Sequence, residues 1–214
     1  METYTASLTE CGLFAGIPDI DGALRYLHAR QREFLRGEFI LHIGDRFACS
    51  GVVLGGEIEC SYQDEAFNKY NMNHFTAGEL FGEAMACADV ASSPMQVAAV
   101  TDCTIMFLDF SVFCGPAKYE HQARLSGNLL RILAGKNLFL NQKVRILSCR
   151  ELRRKILMYL QTLTPNDDGS VILPFSKAAL AEFLCVNRTA LSRELSRMQS
   201  DGLLSMDGRR FTLR

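Results

Sequence analysis

The sequence predicts an α+β chain in three parts: an N-terminal antiparallel β-sandwich or barrel, one long helix, and a C-terminal domain ending in helix, tight turn, helix and β-hairpin. Three observations carry that reading. From about Phe34 to Phe110, strand-length apolar segments alternate with glycine turns. After Pro116, a stretch without proline keeps helical spacing as far as Leu147. From Ser176 to Arg214, two amphipathic helices and a hairpin signal follow one another without a spacer. The divisions implied are residues 1–115, 116–147 and 148–214.

Taken in order, Thr9 to Leu35 reads as helix and loop. The strands that follow are Phe39–Ile43, turned at Gly44-Asp45; Val52–Leu54, turned at Gly55-Gly56; and Ile58–Tyr62. Gly78 and Gly82 mark further turns, and Val97–Val100 and Cys103–Leu108 are hinged at Thr101-Asp102. The long helix is expected from about Ala117 to Leu147, roughly 45 Å at 1.5 Å per residue. Its residues Leu125, Leu129, Ile132, Leu133, Leu140, Val144 and Leu147 run near heptad spacing, which favours a dimer seam. Two shorter core helices broken near Gly135 are the alternative. Glu151–Leu163 is a further helix with Ile156, Leu157 and Leu160 on its apolar face, Pro165–Gly169 is a turn, and Val171–Leu173 is a short strand.

In the last segment Ser176 caps a helix whose apolar residues are Leu180, Phe183 and Leu184. Cys185-Val186-Asn187 breaks it, and Asn187 caps a second helix through about Ser200. There Leu191, Leu195 and Met198 fall at i, i+4 and i+7, a single buried stripe. The other side carries Arg188, Thr189, Ser192, Arg193, Ser196 and Arg197, with Glu194 the one acid between Asn187 and Ser200. Such a face suits a major groove, where arginine reads guanine edges and hydroxyls serve bases or phosphates. Gly202 ends the helix, and Asp207-Gly208 is a two-residue hairpin signal between Leu203–Met206 and Phe211–Leu213. Arg209, Arg210 and Arg214 sit in that hairpin, where a wing would touch phosphate. The expected partner is double-stranded DNA, contacted through Ser176, Asn187, Arg188, Thr189, Ser192, Arg193, Arg197, Arg209 and Arg210.

Charge agrees with that placement. The net charge of −1 splits into +4 over residues 150–214, where 11 Lys+Arg face 7 Asp+Glu, and −5 over the remainder. Eight cysteines, Cys11, Cys49, Cys60, Cys87, Cys103, Cys114, Cys149 and Cys185, form no CxxC pair, so a local metal knuckle is disfavoured and most read as reduced core residues. A redox role is open for one of them, but nothing selects it. A metal-dependent β-barrel enzyme would need clustered histidines, and His28, His42, His74 and His121 stand apart with no HxH. With no nucleophile motif or phosphate loop either, an enzyme is not expected. No basic segment precedes an apolar h-region and no apolar run approaches the ~18 residues that span a bilayer, so the expected location is the cytoplasm, with no membrane partner.

In this order the parts resemble the Crp/Fnr superfamily of bacterial transcription regulators over nearly the full length. The likeness is carried by Gly37-Glu38, Gly44-Asp45, Gly56-Glu57-Ile58, Gly78-Glu79-Leu80-Phe81-Gly82-Glu83 and, most specifically, Val186-Asn187-Arg188-Thr189-Ala190-Leu191-Ser192-Arg193-Glu194-Leu195. The resemblance implies an effector-sensing, cyclic-nucleotide-binding-like jelly roll and a winged helix-turn-helix in a homodimer. The effector would shift the pair of recognition helices on a palindromic operator with half-sites roughly 34 Å apart. Gly82, Glu83, Ser92, Ser93, Met95 and Asn141 are the candidate pocket residues, and RNA polymerase is a further partner if the chain activates. Departures redirect the effector. Ser93-Pro94 stands where cyclic-nucleotide receptors carry an Arg-Ser pair on the cyclic phosphate, which removes a bidentate cation and a backbone donor and disfavours cyclic AMP. Only Cys11 lies near the start, which disfavours the iron-sulfur branch, and haem has isolated histidines or cysteines for axial ligands but no motif in support. Arg188-Thr189 replaces the family's Arg-Glu pair, with Arg193 four positions beyond Thr189, so base preference there should differ. The alternative function is a regulator with no small effector.

Overall fold

The computed structural model describes residues 5–47, 49–63, 69–116 and 118–213, which divide into two compact units, one ending at Lys136 and the other starting at Asn137. In the first unit, α1 (Thr5–Glu10) and α2 (Ile20–Tyr26) precede eight strands: β1 (Arg30–Phe34), β2 (Phe39–Leu41), β3 (Cys49–Gly55), β4 (Ile58–Gln63), β5 (Lys69–Phe75), β6 (Leu80–Phe81), β7 (Gln96–Ala99) and β8 (Cys103–Asp109). A short helix, α3 (Glu83–Cys87), follows β6. The strands form two antiparallel sheets, ordered β1-β8-β3-β6 and β2-β7-β4-β5.

Strands β3 and β8 are buried on both faces, which explains why they read as continuous apolar runs rather than as alternation. One face of each, with Val53, Cys103 and Ile105, joins Phe34, Phe47, Ile58, Phe75 and Phe81 between the sheets. The other, with Val52, Leu54, Met106 and Leu108, packs under Leu13, Phe14, Ala23 and Leu27 and against Leu125 and Leu129 of the long helix. The region expected to be helix and loop up to Leu35 ends in β1 instead. Its sequence Arg-Gln-Arg-Glu-Phe sends one side chain, Phe34, into the core, so an edge strand hides as a charged segment. β5, the edge of the other sheet, has no predicted counterpart for a related reason: Lys-Tyr-Asn-Met-Asn-His-Phe is largely polar.

The long helix, α4, runs from Gln122 to Leu147. It starts five residues later than expected, Ala117 lies outside the described residues, and 26 residues give roughly 39 Å. It passes Gly127 and Gly135 unbroken, which excludes the two-helix alternative; beyond the helix's own backbone and the neighbouring residues, nothing stands within 4 Å of a Cβ added at either glycine. Half of its predicted apolar stripe serves this chain's own core. Leu125 and Leu129 are buried in the same core as Leu13, Phe14, Ala23 and Leu27, with Ile132 and Leu133 packed on it, and Asn128 Nδ2 donates to the Leu13 and Ala15 carbonyls at 2.9 Å each.

The second unit holds the remainder of α4, then α5 (Leu152–Leu160), β9 (Ser170–Ile172), α6 (Lys177–Phe183), α7 (Arg188–Ser200), β10 (Leu204–Asp207) and β11 (Arg210–Leu213), with the sheet ordered β10-β11-β9. Helix α5 is shorter at its C-terminal end than expected and buries Tyr159 along with Ile156 and Leu160, while Leu157 is only partly covered. The hairpin turn is Gly208-Arg209, one residue beyond the Asp207-Gly208 expected, because Asp207 pairs with Arg210. That register sets Met206 opposite Phe211 and Leu204 opposite Leu213, keeping the apolar residues on one face; the other register would turn Arg209 onto it. Gly208 supplies the positive φ, +56°, at the first turn position.

The cysteines correct one expectation. Cys11, Cys60 and Cys103 are buried, but Cys49 and Cys149 are half-covered and Cys87, at the end of α3, Cys114, and Cys185, just past α6, are exposed. No described helix is long and apolar enough to cross a membrane.

Candidate nucleic-acid interface and effector pocket

The two helices of the turn motif are defined by caps that the local sequence supplies. Ser176 Oγ accepts from the Ala179 N–H at 3.2 Å, and Asn187 Oδ1 accepts from the Thr189 N–H at 2.8 Å. Both helices end in the same hydrogen-bonded motif. At the end of α6, Val186 N–H donates to Ala181 and Cys185 N–H to Glu182; at the end of α7, Leu203 N–H donates to Met198 and Gly202 N–H to Gln199. The motif needs a left-handed residue, which is Gly202 at φ +74° in one case and Cys185 at φ +53° in the other.

Leu191, Leu195 and Met198 are buried in the unit's core, so the opposite face of α7 is fixed in orientation. A second anchor, not foreseen from sequence, comes from α5. Arg153 Nε donates to Glu194 Oε1 at 2.7 Å and its Nη1 meets Asp201 Oδ2 at 2.8 Å, gripping α7 at its middle and its end. The lone acid on an otherwise basic and hydroxylic helix was the available signal. Glu194 is thereby turned from the open face, with Arg197 3.8 Å away.

What remains open on α7 is Arg188, Thr189, Ser192, Arg193 and Ser196, all exposed. Arg188 and Arg193 have no acidic partner among the described residues. Ser196 Oγ donates to the Ser192 carbonyl at 3.0 Å, so Ser192 is the freer hydroxyl. Ser176 and Asn187 are exposed but committed to their caps. In the wing, Arg209 is exposed at the turn, whereas Arg210 Nη1 meets Asp168 Oδ2 and Ser170 Oγ, both at 2.8 Å. Arg214 lies outside the described residues.

The pocket candidates divide between the two units. Gly82, Glu83, Ser92, Ser93 and Met95 belong to the first, and Asn141 to the second, where its Nδ2 donates to Asn137 Oδ1 at 2.7 Å. Gly82, at φ +74°, opens α3, and a Cβ on it would collide with the Phe47 ring. Glu83 is buried at 3% exposure; its Oε1 lies 2.7 Å from Lys136 Nζ, while its Oε2 is buried with no hydrogen-bond partner. Lys136 also donates to the Leu80 carbonyl at 2.7 Å and stands 5.2 Å from the centre of the Phe75 ring. Sequence reasoning missed Lys136, which is isolated among apolar and small residues of α4.

Ser93 is buried and serves its own loop, with Oγ donating to the Met95 carbonyl at 2.6 Å and its N–H to the Asp45 carbonyl at 2.8 Å. Ser92 is exposed. Met95 Sδ accepts from the Cys60 thiol, whose pKa burial pushes up to about 11, so that sulfur stays protonated at neutral pH.

Comparison with known proteins bears on both units. The profile of the cyclic nucleotide-binding domain matches residues 31–114, and that of the Crp-like helix-turn-helix domain matches residues 154–214. Among curated proteins, none matches significantly. Solved structures with the same fold include the c-di-GMP-responsive global regulator CLP of Xanthomonas campestris, 20% identical, covering 91% of this chain and 99% of that one at a TM-score of 0.60. FixK2 of Bradyrhizobium japonicum is 17% identical, with 87% and 92% covered and a TM-score of 0.61. The catabolite activator protein of Thermus thermophilus is 21% identical, with 95% and 93% covered and a TM-score of 0.50.

Proposed function

We propose, for a chain that belongs to the Crp/Fnr-type transcription regulators by its cyclic nucleotide-binding domain and Crp-like helix-turn-helix, a cytoplasmic homodimer that reads a palindromic operator under the control of a small effector other than cyclic AMP. The observation that carries the DNA half is the open face of α7, basic and hydroxylic, backed by the Leu191–Leu195–Met198 stripe and by the Arg153 grip on Glu194 and Asp201. In the major groove Arg188 and Arg193 would address guanine edges, Thr189 and Ser192 bases or phosphates, and Arg197 and Arg209 phosphates at the flanks. Ser176 and Asn187 act through the helix starts they fix. Arg210 would reach phosphate only by leaving Asp168.

Support for pairing comes from α4. Gly127, Leu130, Ala134, Asn137, Asn141 and Val144 follow alternating steps of three and four residues, and Leu130 and Val144 are 67% and 61% exposed. A stripe at that spacing is what a two-stranded coiled coil covers, and the asparagines within it would set its register. The effector half rests on Glu83. A buried carboxylate oxygen without a donor is costly, and an effector that donates a hydrogen bond to Oε2 would relieve it next to Lys136, on the helix that continues into the second unit. Ser93, buried and engaged where a phosphate-gripping arginine would be needed, supports an effector other than cyclic AMP. The Lys136–Glu83 pair also favours a second reading in which the pocket is filled from within and no effector acts.

Operator selection from random DNA by the full chain tests the DNA half. Arg193→Ala should then weaken the selected site by about 1–3 kcal/mol, roughly 5- to 150-fold, and relax one base position. Equal weakening on every sequence would confine Arg193 to phosphate. Operator affinity that stays flat across a metabolite and redox screen would favour the effector-free reading.

A further inference from the structure

The edge of the sandwich between β1 and β2 has the features of a second ligand site. Alternate residues of a strand share a face. Phe34 enters the core between the sheets, so Arg32 and Arg30 point the same way, and across the ladder they stand opposite Ile105 and Phe107, which belong to or pack on that core. Both β1 and β2 are edge strands, and a cavity of about 840 Å³ opens where they lie. Arg46, from the connection between β2 and β3, lines it too, with Phe47 and Phe107 supplying an apolar floor.

The lining carboxylates are already used. Asp45 Oδ2 accepts from the His42 N–H at 2.9 Å; Asp109 accepts from the Ser111 N–H at 2.9 Å and pairs with His28 at 3.3 Å. None of the three guanidinium groups has an acidic partner among the described residues, and Arg32 rests on the Phe34 ring 4.7 Å from its centre. Two successive positions on the Phe34 side of the strand, roughly 6.5–7 Å apart along the chain, thus carry arginines that stay exposed at the sheet edge rather than apolar residues.

We propose that this mouth binds a small phosphorylated molecule. Its phosphate would be held by the forks of Arg30, Arg32 and Arg46, and its organic body would lie on Phe47 and Phe107. Arginine forks match phosphate oxygens two at a time, and the cavity falls within the roughly 300–1,000 Å³ of small-molecule sites. The site is separate from the Glu83 pocket, yet Phe47 bounds both, since the same ring closes over Gly82.

Isothermal titration of the full chain, without DNA, against pyrophosphate, ribose 5-phosphate and ADP tests this. Saturable 1:1 binding of at least one organic phosphate is expected, tighter than pyrophosphate and weaker as salt rises. Combined Arg30→Ala, Arg32→Ala and Arg46→Ala should lower the affinity by roughly tenfold or more, whereas Arg36→Ala, an exposed arginine outside the cavity, should not. Arg32→Lys, which keeps the charge and loses the fork, should fall between, and it replaces the triple variant should that variant's thermal melt show misfolding. No saturable binding of any probe at millimolar concentration, or binding unchanged by removal of the arginines, overturns the proposal. Either result leaves operator recognition by α7 untouched.

Discussion

Replacing Lys136 with methionine should cost the first unit more than neutralising its partner, although the two groups form one ion pair. At a separation of 2.7 Å and an effective dielectric of about 20, the gross attraction is roughly 6 kcal/mol. Against it stands the desolvation of Glu83, whose side chain is only 4% exposed, a penalty of several kcal/mol. The net value of the pair is therefore small, but its two ends are unequal. In Lys136→Met the Glu83 carboxylate stays buried with neither oxygen partnered, and the Leu80 carbonyl loses its donor, so the expected loss is about 3–5 kcal/mol. In Glu83→Gln the surviving ammonium belongs to a side chain 38% exposed and can turn to water, so the loss should be about 1 kcal/mol. The double variant should recover part of the larger loss, since it removes the stranded charge. Urea unfolding of the three variants and the parent, followed by far-UV circular dichroism and tyrosine fluorescence, gives the cycle. Equal costs for the two single changes, or a double variant that costs their sum, would refute the reasoning.

Two further outcomes follow from the surface of α4 and from the wing. Val144→Glu changes a residue 61% exposed, so the fold of the chain should lose less than about 0.5 kcal/mol; sedimentation should nonetheless show the mass halved and operator binding lost, and an unchanged mass would remove Val144 from the seam. Asp168 is held below the usual carboxylate range by the Ser170 hydroxyl first, then by the Ser170 N–H and by Arg210. A lowered folded-state value means its contribution is present above about pH 4, the unfolded value, and fades as the pH falls through the lowered one. Urea midpoints of the parent and Asp168→Asn should accordingly differ at neutral pH and converge on acidification; a gap constant with pH would assign the effect elsewhere.

The helix-turn-helix was legible because its determinants are local. Ser176 and Asn187 act on N–H groups two or three residues away, the Leu191–Leu195–Met198 stripe has a helical period, and Gly202 ends the helix at the residue whose φ must be positive. The wing register slipped by one because Asp-Gly and Gly-Arg both offer a turn; what decides is the pairing of Phe211 with Met206 across the strands and with Val171 of β9, some 40 residues earlier. Edge strands were the least legible parts of the sandwich. β1 sends a single side chain into the core, and Arg30 and Arg32, on the same side of the strand as Phe34 but exposed at the sheet edge, give no apolar signal.

Helix α4 shows where spacing ceases to be informative. Leu125, Leu129, Ile132 and Leu133 lie near heptad spacing, and so do Gly127, Leu130, Ala134, Asn137, Asn141 and Val144, on a different side of the same cylinder. Periodicity says that a stripe will be covered but not by what. The N-terminal segment around Leu13 and Phe14 decides it, since the core it shares with Leu125 and Leu129 claims the first stripe, whose leucines are the larger apolar surface, for the interior. The stripe left outside is sparser, with a glycine, an alanine and two asparagines between its exposed Leu130 and Val144 ends or beside them, and that composition has a physical consequence. Small residues let two helices approach closely, while asparagines contribute little burial and penalise any register that leaves them facing apolar side chains. A seam built that way would be weak in energy and strict in register, so its dissociation should be sensitive to a change in the tilt of α4. Lys136 is fixed to Glu83 one residue before Asn137, within the span of that stripe. Breaking or reshaping the pair is therefore expected to act on pairing as well as on the stability of the sandwich, and comparing the sedimentation of Lys136→Met with its urea midpoint separates the two.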